Sequence, residues 1–287
     1  MANYLSYLRL PLMASSGIVA LASGGLWWKQ KCVSQQEDQI LSSSLDSDLI
    51  YPRYLPSGAN TDEGVPRPTQ FGISDYEDLR LSTPDGETLG AFFIRPSNKG
   101  LANNVTILMF HGNAGNIGHR VPIAKILEEN SGCSVLMLEY RGYGMSTGRP
   151  DEEGLMIDAQ TGLDWIRNSK ETKGNRIVVY GQSIGGAVAI QLVAKNQEAE
   201  DVVGLILENT FTSIRKLIPS VPILFISGLK DEIIPPSHMR QLYSVCRAKS
   251  KTWRTIPNGS HNDTVAEPDY FMYIFDFIKE QASGASS

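Results

Sequence analysis

The sequence predicts an α/β fold: a mostly parallel sheet with helices on both faces, preceded by an apolar N-terminal segment of membrane-spanning length. Three observations predict it. Short runs that are apolar at nearly every position recur along the chain, the pattern of strands buried on both faces. Helix-length segments separate those runs, as crossovers between parallel neighbours require. A turn signal, Pro84-Asp85-Gly86, divides "YEDLRLSTPDGETLGAFFIR" into two strand-like halves, so a hairpin leads into the sheet.

The first element is the most apolar. Residues 10–28, "LPLMASSGIVALASGGLWW", carry no charge over 19 positions. As a helix they would extend about 28 Å, close to the hydrocarbon thickness of a bilayer. Arg9 precedes the run, Lys29 and Lys31 follow it, and Trp27 and Trp28 suit an interfacial aromatic belt. The expectation is a single-pass membrane anchor, 1–31 with its flanks. A cleaved signal peptide competes, because Ala20-Leu21-Ala22 resembles a cleavage site. A buried core helix is a third reading, opposed by the terminal position. Lys29 and Lys31 favour a cytosolic side for the rest of the chain, while Arg9 and the terminal amine pull the other way.

Residues 32–70 are polar and rich in Ser, Asp and Pro, and their prolines impose extended backbone. They are expected to form a linker. Cys32 is a position for palmitoylation or an inert thiol. The domain is expected over 71–287. Beyond the hairpin, strands are predicted at 105–110, 133–139, 176–180, 202–207, 223–227 and 252–256. Helices are predicted at 117–130, 152–169, 184–195, 237–247 and 269–281. No internal repeat is visible.

Composition narrows the function. The chain has 287 residues, 41% hydrophobic and 20% charged, which suits a packed core. A net charge of −5 and the lack of a long basic stripe argue against nucleic acid as a partner. Cys32, Cys133 and Cys246 show neither CxxC nor Cys/His spacing, so no disulfide framework or zinc site is indicated. Cys133 opens an apolar run and reads as a small core residue.

Chemistry concentrates after four strands. "VVYGQSIGGAVAIQ" places Gly181, Ser183 and Gly185 between a strand and a helix, the context of a nucleophile elbow. So tight a turn needs small neighbours, and it lifts the Ser183 hydroxyl out of the sheet. The helix that follows directs main-chain amides at developing negative charge. A serine hydroxyl needs a base. His261, in "NGSHNDT" after the last strand, stands where this fold would place one. His111 ends a strand and is expected to shape its loop, while His119 and His238 read as surface positions on helices. Asp231, in "ISGLKDEIIPP", follows a strand end and would orient the imidazole; Glu232 fits less well, and Asp263 lies too near His261 in sequence. The main-chain amides of Asn113, in "HGNAGN", and Ile184 would form an oxyanion hole. The glycine-rich turn holding Asn113 is also compatible with phosphate binding, but it lacks G-x-G-x-x-G and the P-loop lysine.

Taken together, "HGNAGN", "LEYRGYGMSTGRPDEEG", "VVYGQSIGGAVA", "LENTFTSI", "GLKDEIIPPSHM" and "GSHNDT" resemble the α/β-hydrolase superfamily. More closely, they resemble the membrane-anchored hydrolases of the fungal bud-emergence group and related animal α/β-hydrolase-domain proteins. The resemblance runs from about Phe71 to the C-terminus and includes the N-terminal apolar segment. It implies a serine hydrolase without metal or organic cofactor, on an internal membrane such as the endoplasmic reticulum. It also brings in acyl ester or thioester substrates, including acylated proteins, because related members include protein depalmitoylases. One departure stands out. Between Asn209 and Pro222 the chain is shorter than this family's crossover, which often bears a cap over the site. That leaves a second expectation beside the enzyme: a catalytically impaired scaffold that binds a lipid or protein partner.

Overall fold

Val105–Phe110 shows how such a sequence builds the centre of a sheet. All six residues, VTILMF, are buried. Alternate side chains of a strand point to opposite faces, so both faces must meet apolar layers. Val105, Ile107 and Met109 enter one hydrophobic cluster, and Leu108 and Phe110 enter the other.

The computed structural model describes residues 50–211, 221–248 and 250–284. Its strands are β1 (Tyr76–Ser82), β2 (Thr88–Ile94), β3 (Val105–Phe110), β4 (Ser134–Leu138), β5 (Arg176–Gln182), β6 (Val202–Glu208), β7 (Ile223–Gly228) and β8 (Lys251–Ile256). They form one sheet in the order β1-β2-β4-β3-β5-β6-β7-β8. The β1–β2 hairpin is antiparallel, β2 joins β4 antiparallel, and every later pairing is parallel. The helices are α1 (Val121–Ser131), α2 (Glu152–Asn168), α3 (Ile184–Lys195), α4 (Pro236–Val245) and α5 (Tyr270–Ser283). Residues of α2, α3 and α4 fill the cluster on one face, and residues of α1 and α5 fill the other. This is the α/β-hydrolase fold, with the hairpin and parallel sheet where the sequence places them.

Local chemistry sets the helix ends. Asp151 caps α2 by accepting from Gly154 N at 2.7 Å, with Glu152 and Glu153 in the first turn facing the positive end of the helix dipole. Gly132, at φ 71°, ends α1 in the left-handed region. The segment expected as one helix over 117–130 divides. A 3-10 turn, Ile117–Arg120, precedes α1, because Pro122 has no N–H to continue the ladder back into that turn. Asn116 caps the turn: its side chain accepts from His119 N at 3.3 Å, and its own N donates to His119 Nδ1 at 3.2 Å.

The apolar run 10–28 lies outside the described residues, as do residues 32–49 of the expected linker. Among the described residues no helix is long and apolar enough to cross a membrane. From Ile50 onward the chain packs against the domain. Tyr51, Ala59 and Val65 are buried, and Asn116 Nδ2 donates to Ala59 O and Gly64 O, both at 2.9 Å. β6 and β7 are adjacent and parallel, so residues 209–222 make the crossover; 212–220 of it lie outside the described residues.

Candidate active site

The elbow between β5 and α3 is built by exclusion. Ser183 adopts φ 55° and ψ −118°, a conformation that non-glycine residues seldom occupy and that costs on the order of 1–3 kcal/mol. A Cβ on Gly181 would lie 2.2 Å from Gly185 O, and one on Gly185 would lie 2.4 Å from Phe110 O. No side chain fits at either position, so the G-x-S-x-G pattern is a steric necessity of this turn. Hydrogen bonds hold the strained residue: Ser183 N donates to Glu208 O at 3.0 Å, and Ser183 O accepts from Thr210 Oγ1 at 2.6 Å.

Two other loops converge on it. His261 Nε2 lies 3.1 Å from Ser183 Oγ, and His261 Nδ1 lies 2.8 Å from Asp231 Oδ2. Asp231 is itself fixed, since its Oδ1 accepts from Ile233 N at 3.0 Å and Ile234 N at 2.7 Å. All three side chains are buried. A hydroxyl, an imidazole and a carboxylate in this line can pass a proton from oxygen to ring nitrogen while the carboxylate holds the other nitrogen. The alternatives stand elsewhere. Asp263 Oδ1 accepts from Ser260 N at 2.6 Å, and Glu232 is exposed.

The loop after β3 closes the opposite side. Asn113 turns its side chain away: Nδ2 donates to Ile50 O at 2.6 Å, and Oδ1 accepts from Tyr143 Oη at 2.8 Å. Asn113 lines the cleft with Ser183 and His261. Ile184, the first residue of α3, contributes an N–H that has no carbonyl partner one turn back. His111 shapes this loop, with Nδ1 2.7 Å from Gly112 O and its ring 4.4 Å from that of Tyr140. Its Nε2 lies 3.0 Å from Glu139 Oε1, off the line of a hydrogen bond. His238 sits in the first turn of α4, apart from the cleft.

Three residues of the site escaped the sequence reading. Asn209, at φ 43°, donates through Nδ2 to His261 O and Ser260 O, each at 3.3 Å, and to Thr264 Oγ1 at 2.9 Å. Its Oδ1 accepts from Gly228 N at 2.8 Å, so it clamps the aspartate loop to the histidine loop. Glu208 is fully buried beneath the elbow and accepts from Tyr180 Oη, from Tyr270 Oη at 2.6 Å and from Gln182 Nε2 at 3.2 Å. Burial pushes its carboxyl up, against the pull of those donors. Arg120 lines the cleft, and burial pulls its guanidinium below the usual range. An acid at the end of an apolar strand was the visible signal for Glu208; the other two gave none. Among the described residues no cluster of His, Cys, Asp and Glu has the grouping of a metal site.

Comparison with known proteins places this geometry. A family model described as "Serine aminopeptidase, S33" matches residues 102–221. The chain is 39% identical to Protein bem46 of Schizosaccharomyces pombe, over 93% of this chain and 92% of that one. It is 38% identical to the uncharacterized membrane protein YNL320W of Saccharomyces cerevisiae, over 81% of this chain and 88% of that one. Among solved structures, the Pyrococcus furiosus esterase Pf2001 superposes with a TM-score of 0.62 at 17% identity, covering 74% of this chain and 93% of that one. A Xanthomonas campestris α/β serine hydrolase without lid gives a TM-score of 0.57 at 21% identity, covering 74% and 94%. At such identities the solved structures bear on the fold alone.

Proposed function

Since the chain belongs to the Bem46-type group of α/β-hydrolases, we propose that it is a serine hydrolase acting through an acyl-enzyme on an ester, thioester or amide. One observation carries the reading: Ser183, His261 and Asp231 come from three separate loops and still meet at 3.1 and 2.8 Å. In this mechanism Ser183 Oγ attacks the substrate carbonyl while His261 Nε2 takes its proton. Asp231 holds the ring tautomer and offsets the imidazolium charge. The amides of Asn113 and Ile184 receive the oxyanion, each worth about 3 kcal/mol in the transition state. His261 returns the proton to the leaving group. Water, activated the same way, then cleaves the acyl-serine.

The proposal extends to location. The uncharged run 10–28 would anchor the chain in an internal membrane such as the endoplasmic reticulum, and the name of the yeast relative, a membrane protein, agrees with this. Acylated membrane proteins, S-palmitoyl thioesters among them, would then be within reach as substrates. The sequons at Asn104, Asn258 and Asn262 bear on sidedness. Asn262 lines the cleft, where a bulky glycan would crowd the mouth, so the domain is proposed to face the cytosol. The short crossover is compatible with this chemistry, because a lidless serine hydrolase is known on the same fold.

A fluorophosphonate probe tests the enzyme. The expected result is labelling at Ser183, lost in Ser183→Ala and His261→Ala, with Asp231→Asn reduced in turnover on the order of 10⁴-fold. A folded chain that leaves the probe unreacted would favour the scaffold instead. Carbonate extraction tests the anchor, and endoglycosidase treatment of protein from its native membranes tests the side. An N-glycan on Asn258 or Asn262 of hydrolytically active protein would overturn the cytosolic assignment.

A further inference from the structure

Arg120 ends the 3-10 turn just beyond the Asn113 loop and lines the cleft together with Asn113, Gln182, Ser183, His261 and Asn262. It is 4% exposed, yet among the described residues it makes no hydrogen bond or ion pair, and its Nε is buried without a partner. Its Nη2, Ser183 Cβ and Gln182 Oε1 each lie 3.8 Å from the point a Gly112 Cβ would occupy, so guanidinium and candidate nucleophile flank one backbone position. Glu208 and Glu139 act on it through space but make no hydrogen bond to it. Glu208 takes its bonds from Tyr180, Tyr270 and Gln182, and Glu139 takes one from Ile117 N at 3.1 Å while facing His111.

We propose that Arg120 forms an anion-receiving subsite beside Ser183, so that the preferred substrates are esters or thioesters whose acyl part bears its own carboxylate. This rests on the hydrolase reading above. A buried guanidinium fork with no direct hydrogen-bond partner is costly, and a carboxylate matches it with two parallel N–H···O bonds. The opposite substrate fits poorly. A free amine on the substrate would find no carboxylate among the described residues lining this cleft and would meet Arg120 as a like charge, so an aminopeptidase specificity does not follow from the family's description.

The test compares monomethyl with dimethyl esters of succinic, glutaric and adipic acids, which carry a carboxylate or a neutral methyl ester at the distal end, with rates counted per ester bond. Turnover is followed on the wild-type chain and binding, by calorimetry, on Ser183→Ala. The anionic monoester of at least one length should be favoured on the order of 10- to 100-fold in kcat/KM and in affinity, the range of a charge-assisted hydrogen bond. Arg120→Met should bring that ratio near one, and Arg120→Lys should retain part of it. If Arg120→Met fails to fold, the wild-type ratio and the Lys variant still decide. A dimethyl ester equal to or better than the monoester at every length, in both measurements, overturns the subsite. Selective binding of the monoester to Ser183→Ala with no turnover of either ester by the wild type leaves the subsite standing and rejects the hydrolase.

Discussion

Protonating His119 should loosen the fold at a pH where most of the protein is still intact. The ring is half-buried, and its Nδ1 accepts from Asn116 N at 3.2 Å. A second proton would sit on that nitrogen and face an N–H head-on. Burial first, then the charges of Arg120 and His111, lower its pKa from 6.5 to about 4. The folded state therefore resists a proton that the unfolded chain accepts. Stability from this group is present above pH 6.5 and is lost as the pH falls toward 4. The full difference corresponds to about 3 kcal/mol, and roughly 2.5 kcal/mol of it would be lost between about pH 7.5 and pH 4.5. The assay is urea unfolding followed by tryptophan fluorescence at those two pH values, for wild type and His119→Gln. Wild type should lose about 2.5 kcal/mol more than the variant. Equal losses in the two proteins would refute the argument, because then some other group sets the acid response.

Gly181→Ala should disrupt the elbow outright, since its new methyl would strike Gly185 O at 2.2 Å; a loss of more than about 2 kcal/mol by thermal melting, together with loss of probe labelling, is expected. The two partners of Arg141 should behave unequally. Asp158 is fully buried, accepts from Arg141 N, Nε and Nη2, and should cost about 3–5 kcal/mol when replaced by Ala. Asp85, the exposed partner at 2.8 Å, should cost far less, so urea midpoints of the two variants that coincide would contradict the assignment.

How much of this could be read from the sequence depends on whether a residue's job is local. The G-x-S-x-G turn is local: its glycines answer to clashes with Gly185 O and Phe110 O, which any strand–turn–helix of this tightness would impose. His261 and Asp231 were legible because each follows the end of an apolar run. The parallel sheet was implied by alternation, though not its strand order, and the limits of the parallel strands differ by only a residue or two. The helix division at Pro122 was missed because apolar spacing continues across it while the backbone hydrogen bonds do not. Residues 50–70 read as linker by composition, yet their carbonyls satisfy Asn113, Gly115 and Asn116 in the loop beside the nucleophile. Glu208 could not be interpreted from its neighbours, because its hydrogen-bond donors come from β5 and α5, far apart in the chain.

Three consecutive residues at the end of β6 explain how the site forms beside so short a crossover. Glu208 accepts Ser183 N through its carbonyl while its carboxylate anchors the floor beneath the elbow. Asn209 takes a left-handed turn, a conformation asparagine tolerates better than most residues, and thereby reaches both the aspartate loop and the histidine loop. Thr210 donates to Ser183 O and packs its side chain where Gly186 leaves room, a Cβ there meeting it at 2.6 Å. Ser183 and His261 are therefore bonded directly to residues 208–210, and the strand that leads to Asp231 is bonded there through Gly228, before the rest of the crossover begins. A change of length or sequence beyond residue 211 would leave the residues that make these tethers unchanged. The geometry of proton transfer is thus fixed from β6 itself and from the first residues after it.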